Sequence, residues 1–191
     1  MEAFTPYFID ILAPLTLVLQ GTALVLLGMF LWNLVFHKSC SRVFRWTSRH
    51  SLLLMLSVSL GAMMGSMFFS EIALWIPCKY CWYQRIFLYP QVFLLGLALY
   101  KGDRGIVPYI LLLSVVGMVF SVIHYGEQLQ SLLHPELFDP NTPCDLTGVS
   151  CRSTELLRYG FITIPYMAMA PFFLNIVLSL VTLRCGRNGN S

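Results

Sequence analysis

Six cysteines occur in this 191-residue chain, and four of them form two pairs whose spacing suits thiol–disulfide chemistry. Cys78-Lys-Tyr-Cys81 is a C-x-x-C motif with Pro77 before it and Arg85 four residues after its second cysteine. On a helix, positions 81 and 85 share a face. A thiolate at Cys81 is therefore expected near the positive end of a helix dipole with a guanidinium one turn away, and both effects lower a cysteine's pKa. The same spacing also serves zinc sites and structural disulfides, and an arginine at such a place also extends to lipid headgroups.

Cys144 and Cys151 lie in Pro143-Cys-Asp-Leu-Thr-Gly-Val-Ser-Cys151, a turn-rich stretch that closes a small ring. A disulfide in an exposed loop is accessible to another protein and tends to be labile; the alternative reading is a loop clamp. Two pairs on one membrane face could exchange partners, because exchange requires only that a thiolate reach a disulfide sulfur. A zinc site built from all four cysteines is the competing use. The wide Cys144–Cys151 spacing and an oxidising location argue against it, so no metal is expected. Cys40 and Cys185 have no cysteine near them in sequence and read as free thiols or lipidation sites.

The elements that must hold these residues are membrane helices. The chain is 57% hydrophobic and 11% charged, against roughly a quarter charged in a soluble domain. Its net charge of +3 is spread between apolar runs, not along a stripe, which sets nucleic-acid binding aside. A bilayer core about 30 Å thick takes about 20 helical residues. Five segments qualify: Leu12–Phe36, Leu52–Trp75, Tyr83–Tyr100, Ile106–Tyr125 and Phe161–Leu183. Such runs have to be helical in lipid. The expected fold is all-α and polytopic, a four-helix transmembrane bundle plus one additional N-terminal transmembrane helix. The first run is kept as a span because Glu2 and Asp10 stand where a cleaved signal carries basic residues, and the run is longer than a signal core.

Lys38, Arg42, Arg45 and Arg49 follow the first run without an acid between them, which marks that loop as cytoplasmic. Alternation then puts the N-terminus, the Cys78–Cys81 turn and the Glu127–Tyr159 loop outside. The Lys101–Arg104 turn, Arg184 and Arg187 fall inside, and the inside loops are all basic. The expected organisation is an N-terminal helix with its basic loop (1–50), the four-helix bundle (51–184) and a short cytoplasmic tail (185–191). Gln128–His134 is expected to lie along the membrane surface as a short helix.

Pro77-Cys-Lys-Tyr-Cys-Trp-Tyr-Gln-Arg85 with Tyr89-Pro90, His124 with Gln128, the following cysteine pair, and Gly160-Phe-Ile-Thr-Ile-Pro165 together resemble the DsbB/BdbC family of disulfide-bond formation proteins. The resemblance runs from about Leu52 to Leu183. It implies a four-helix bundle of the bacterial inner membrane that reoxidises a soluble extracytoplasmic thioredoxin-fold thiol oxidase, DsbA-like, and delivers electrons to ubiquinone or menaquinone in the lipid. By the same resemblance Cys78 and Cys81 are the quinone-proximal pair, Arg85 polarises the quinone, and Cys144 and Cys151 face the partner. His124 and Gln128 would line the outer end of the bundle near the quinone, or bond helix to helix. Gln84 stands where the family often has an acid. The extra first helix resembles a DsbI-like branch. A vitamin K epoxide reductase-like enzyme is the alternative, although its loop cysteines come in the other order. A membrane subunit braced by structural disulfides is the non-enzymatic alternative.

Overall fold

Apolar runs separated by short polar breaks leave the chain little choice but helices packed side by side, and five form. They are α1 (Thr5–Val35), α2 (Arg42–Met67), α3 (Lys79–Lys101), α4 (Val107–Leu133) and α5 (Ile164–Arg187), with a π-helical turn, Phe68–Ile72, continuing α2. The computed structural model describes residues 5–36, 40–137, 143–144, 148–153 and 156–187. Glu2, Lys38 and the tail beyond Arg187 fall outside them. Among the described residues no strand occurs beyond one isolated bridge, Arg158 to Ile162. The protein is a multi-pass membrane protein: α1, α2 with its π turn, α4 and α5 are long and apolar enough to cross a bilayer on their own. α3 carries Lys79, Gln84, Arg85, Gln91 and Lys101 and falls short of that apolarity, so its place among the spans comes from packing between α2 and α4.

Helix ends differ from the apolar runs for local reasons. α2 starts at Arg42, not Leu52, because the Ser41 hydroxyl accepts from the Phe44 amide at 3.4 Å and no Gly or Pro intervenes before Gly61. Arg42, Arg45 and Arg49 therefore sit on helical turns. At the other end of the bundle, Gln128–Leu133 does not lie flat as a surface helix but extends α4. Its Gln128 and Ser131 side chains donate to the carbonyls of Ser153 and Arg152, at 2.9 and 3.0 Å, which fixes these turns against the long loop. Gly102, at φ 66°, caps α3 in the left-handed region, and the next amide, Asp103, reaches back to Ala98 O at 2.9 Å. This tight reversal makes α3 and α4 antiparallel neighbours.

The four later helices are joined at mid-depth by a buried polar node. Asn175 of α5 donates to Ser59 of α2 and to Gln91 of α3, both at 2.9 Å, and Ser114 of α4 donates to the same Gln91 oxygen at 3.1 Å. All four side chains are fully buried. In lipid, where apolar side chains gain little from leaving hydrocarbon, such interhelical bonds set which faces meet. Close α4–α5 packing comes from Gly117, whose missing side chain leaves space filled by the Phe172 ring.

α1 rests on α5. Gln20 donates to the Tyr166 carbonyl at 3.3 Å, Asp10 pairs with Arg158 at 2.8 Å, and the Phe8 ring stacks on Phe68 at 3.8 Å. Cys40 and Cys185, expected to be separate thiols or lipidation sites, instead form a disulfide, with Cα atoms 5.9 Å apart. The antiparallel course of α2 and α5 returns the end of one to the start of the other, a proximity that 145 residues of separation conceal.

Candidate functional site

The end of the bundle opposite Cys40 and Cys185 is shaped by the π turn. There Ala73 N bonds Phe68 O at 3.0 Å, and Trp75 N returns to Phe69 O at 2.9 Å while its ring stacks on Phe69 at 5.2 Å. Leu74 between them takes φ 56°, a region that disfavours a residue bearing a β-carbon. π turns and such backbone outliers gather at functional sites. The segment delivers Cys78 to the N-cap of α3 with its carbonyl accepting from Trp82 N at 3.2 Å, and places Cys81 in the first turn.

The Cys78 and Cys81 sulfurs lie 3.6 Å apart as free thiols. Across the bundle, His124 of α4 brings Nε2 to 3.5 Å from Cys78 Sγ, while its Nδ1 lies 3.4 Å from Gln84 Nε2. The imidazole is buried, with the Tyr80 ring 5.5 Å away. The Cys81 thiol beside Cys78 favours its thiolate most, burial opposes, and His124 adds to the lowering, so that Cys78 falls to about 4. The sequence points to Cys81 as the thiolate of the reduced pair; the neighbours of Cys78, the Cys81 thiol and then His124, favour the charge there instead. Arg85 is also engaged with Ser66. Its Nε donates to Ser66 Oγ at 2.9 Å and an Nη to Ser66 O at 3.0 Å, with Trp82 beneath the guanidinium at 5.3 Å. Tyr89 donates to the same hydroxyl at 3.2 Å.

Cys144 and Cys151 are joined as a disulfide, their Cα atoms 5.8 Å apart. The sequence suggests a mobile exposed loop, whereas this one is docked. Cys151 is 1% exposed, and Arg152 pairs with Glu127 at 2.8 Å beside the Gln128 and Ser131 bonds to the loop backbone. Leu156 anchors its exit in a cluster with Phe68, Phe69 and Ile162. With the loop pair bonded to itself, the two pairs do not combine into a four-thiolate ligand set. Cys78, Cys81 and His124 do place three ligand atoms within 4.8 Å of one another, a set that suits a soft cation.

A cavity of about 850 Å³ joins these parts. Cys78, Cys81, Gln84, Arg85, His124 and Gln128 line it, and Gly148, Val149, Ser150 and Ser153 of the cysteine loop line it as well. The remaining wall is largely apolar and includes α1. Gln128 Oε1 is buried without a hydrogen-bond partner. A flat ring with acceptor oxygens on an apolar body fits this distribution, since the wall is largely apolar and Arg85 brings a guanidinium to it beside the two sulfurs. All seven residues singled out in the sequence thus meet around one cavity or in the loop above it. Sequence reasoning missed Gln84 as the partner of His124, Ser66 as the seat of Arg85, and the α1 wall. A polar serine in the apolar turn Gly65-Ser66-Met67 was the available signal for the second.

Comparison with known proteins gives the family of the chain. Residues 48–182 match the family model "Disulfide bond formation protein DsbB". Disulfide bond formation protein C of Bacillus subtilis is 42% identical over 120 residues, 63% of this chain and 83% of the relative. A probable disulfide formation protein C of Halalkalibacterium halodurans is 39% identical over 126 residues, 66% of this chain and 88% of the relative. A probable disulfide formation protein of Coxiella burnetii is 38% identical over 127 residues, 66% and 83% of the two chains. No solved structure matches.

Proposed function

Because the chain belongs to the DsbB family of disulfide bond formation proteins, we propose that this membrane disulfide oxidoreductase carries electrons from a soluble thioredoxin-fold dithiol oxidase to a membrane quinone, ubiquinone or menaquinone. The observation that carries the reading is the shared cavity: the Cys78–Cys81 pair, Arg85 and the loop holding Cys151 all border it. The setting is the bacterial inner membrane, with both catalytic pairs on the extracytoplasmic side and Arg42, Arg45 and Arg49 on the cytoplasmic side.

A partner thiolate attacks the Cys144–Cys151 disulfide, and the partner's second thiol resolves the mixed disulfide, leaving both loop cysteines reduced. A loop thiolate then attacks Cys78 of an oxidised Cys78–Cys81 pair, which frees Cys81 as a thiolate lining the cavity. The second loop cysteine resolves the loop–Cys78 bond. Here the acidity of Cys78 helps, since a thiol of low pKa leaves faster. The helix-mouth pair is now reduced and the loop disulfide restored. A quinone bound in the cavity supplies the acceptor for two electrons and two protons. Arg85 would donate a hydrogen bond toward its ring oxygen, Gln128 would line the wall beside it, and His124, whose Nδ1 faces the Gln84 amide, presents Nε2 to the Cys78 sulfur.

The test is oxidation of a reduced thioredoxin-fold protein by the purified chain in lipid, followed with and without quinone. Quinone-dependent turnover is expected from the wild type and none from Cys78, Cys81, Cys144 or Cys151 serine variants. Turnover that survives in Cys81→Ser removes the relay, as does labelling that puts the two pairs on opposite membrane faces.

A further inference from the structure

α1 lies outside the segment that matches the family model, 48–182, yet it forms part of the cavity wall. Leu12, Leu15 and Leu19 line one side, and Val58, Gly61 and Gly65 of α2 line the other. The two helices run antiparallel, but among the described residues no Cα of α1 comes within 8 Å of an α2 Cα. They are held apart over a floor of α5, which packs against both. The gap is bridged at its end by the Phe8–Phe68 stack at 3.8 Å, and a side chain on Gly65 would only just touch Leu12. Deeper in, a side chain on Gly61 would meet no atom within 4 Å. From Leu12 to Leu19 the cleft runs about 10 Å along the helix axis.

We infer that the cleft between α1 and α2 is a subsite for the isoprenoid tail of the quinone, so that the additional helix encloses a chain the four-helix bundle would leave in lipid. This rests on the proposed function. Two observations select the occupant. The cleft is continuous with the Cys81 and Arg85 end, belonging to the same cavity of about 850 Å³, so a ring seated there has its tail directed along it. The walls over that length are mostly aliphatic or glycine, and the two hydroxyls among them, Thr16 and Ser57, donate to carbonyls of their own helices at 2.8 and 2.9 Å, so the surface offered is mainly hydrocarbon.

The experiment compares quinone KM in proteoliposomes for a long-tailed isoprenoid quinone and for a tail-less quinone with the same ring. A β-carbon at Gly61 meets no atom within 4 Å, so Gly61→Leu should extend into the channel and obstruct it; Gly61→Ala is the graded, gentler block. Gly21→Leu on α1, which also meets open space but lies outside the cavity lining, is the control. KM for the long-tailed quinone is expected to rise about tenfold in Gly61→Leu and less in Gly61→Ala. The tail-less KM, kcat and the control should stay at wild-type values. Equal rises for both quinones, or no rise for either, overturn the subsite while leaving quinone reduction intact. A wild type that reduces neither quinone removes the function itself and the subsite with it.

Discussion

His124 Nε2 lies 3.5 Å from Cys78 Sγ, and this contact joins α4 to the thiol that its neighbours make the more acidic. With Cys78 lowered to about 4, chiefly by the Cys81 thiol and then by His124 against the opposing effect of burial, its alkylation should persist from neutral pH down to about 4 and fall away below. Cys81→Ala should raise the midpoint most, and His124→Ala should raise it by less. The sign for stability follows. The unfolded thiol titrates at about 8.5, so stabilisation of the reduced form is present in full above that value and is lost as pH falls through the folded pKa. A midpoint that ignores both substitutions would detach Cys78 from these neighbours.

Arg85 holds Ser66 through two hydrogen bonds and borders the cavity. Arg85→Ala should raise quinone KM about 10- to 100-fold, the loss of a charged donor being worth about 1.5–3 kcal/mol. Exchange between the two cysteine pairs, read by mixed-disulfide formation without quinone, should change little. Equal effects on both steps would assign Arg85 to sulfur chemistry instead.

The node at Asn175 predicts a purely structural phenotype. Asn175→Ala leaves Gln91 and Ser59 short of a partner in a buried setting, which costs about 1–3 kcal/mol. The melting temperature in detergent should fall, while the Cys78 alkylation profile of protein still folded should match the wild type.

Gly117→Ala should be harmful for a different reason. Its new methyl would overlap the fully buried Phe172 ring, and overpacking of this kind costs about 1–3 kcal/mol. Gly117→Ala combined with Phe172→Leu should recover part of the lost stability; no recovery would mean that the α4–α5 contact is not the cause.

Helices and cavity-forming residues were legible because membrane spans declare themselves as apolar runs, and because C-x-x-C with Arg85 is a local pattern. What stayed hidden depended on three-dimensional return. Part of the lowering of Cys78 comes from His124, 46 residues away, and Ser66 engages Arg85 from another helix. The bond between Cys40 and Cys185 required knowing that α2 begins where α5 ends. Docking of the cysteine loop came from Gln128 and Ser131 on an extension of α4, where an amphipathic pattern reads equally well as a surface helix or as two further turns. The turns of α2 before Leu52 depended on a cap, and only Ser41 marked it in the sequence.

The Cys40–Cys185 bond binds the molecule as a spine binds a book. With the start of α2 and the end of α5 tied together at the far edge, the fore-edge, where Cys78, Cys81 and the loop disulfide sit, is the margin left without that tie. Widening that lets sulfurs meet or a ring enter would be expected there before it is expected at the bound edge.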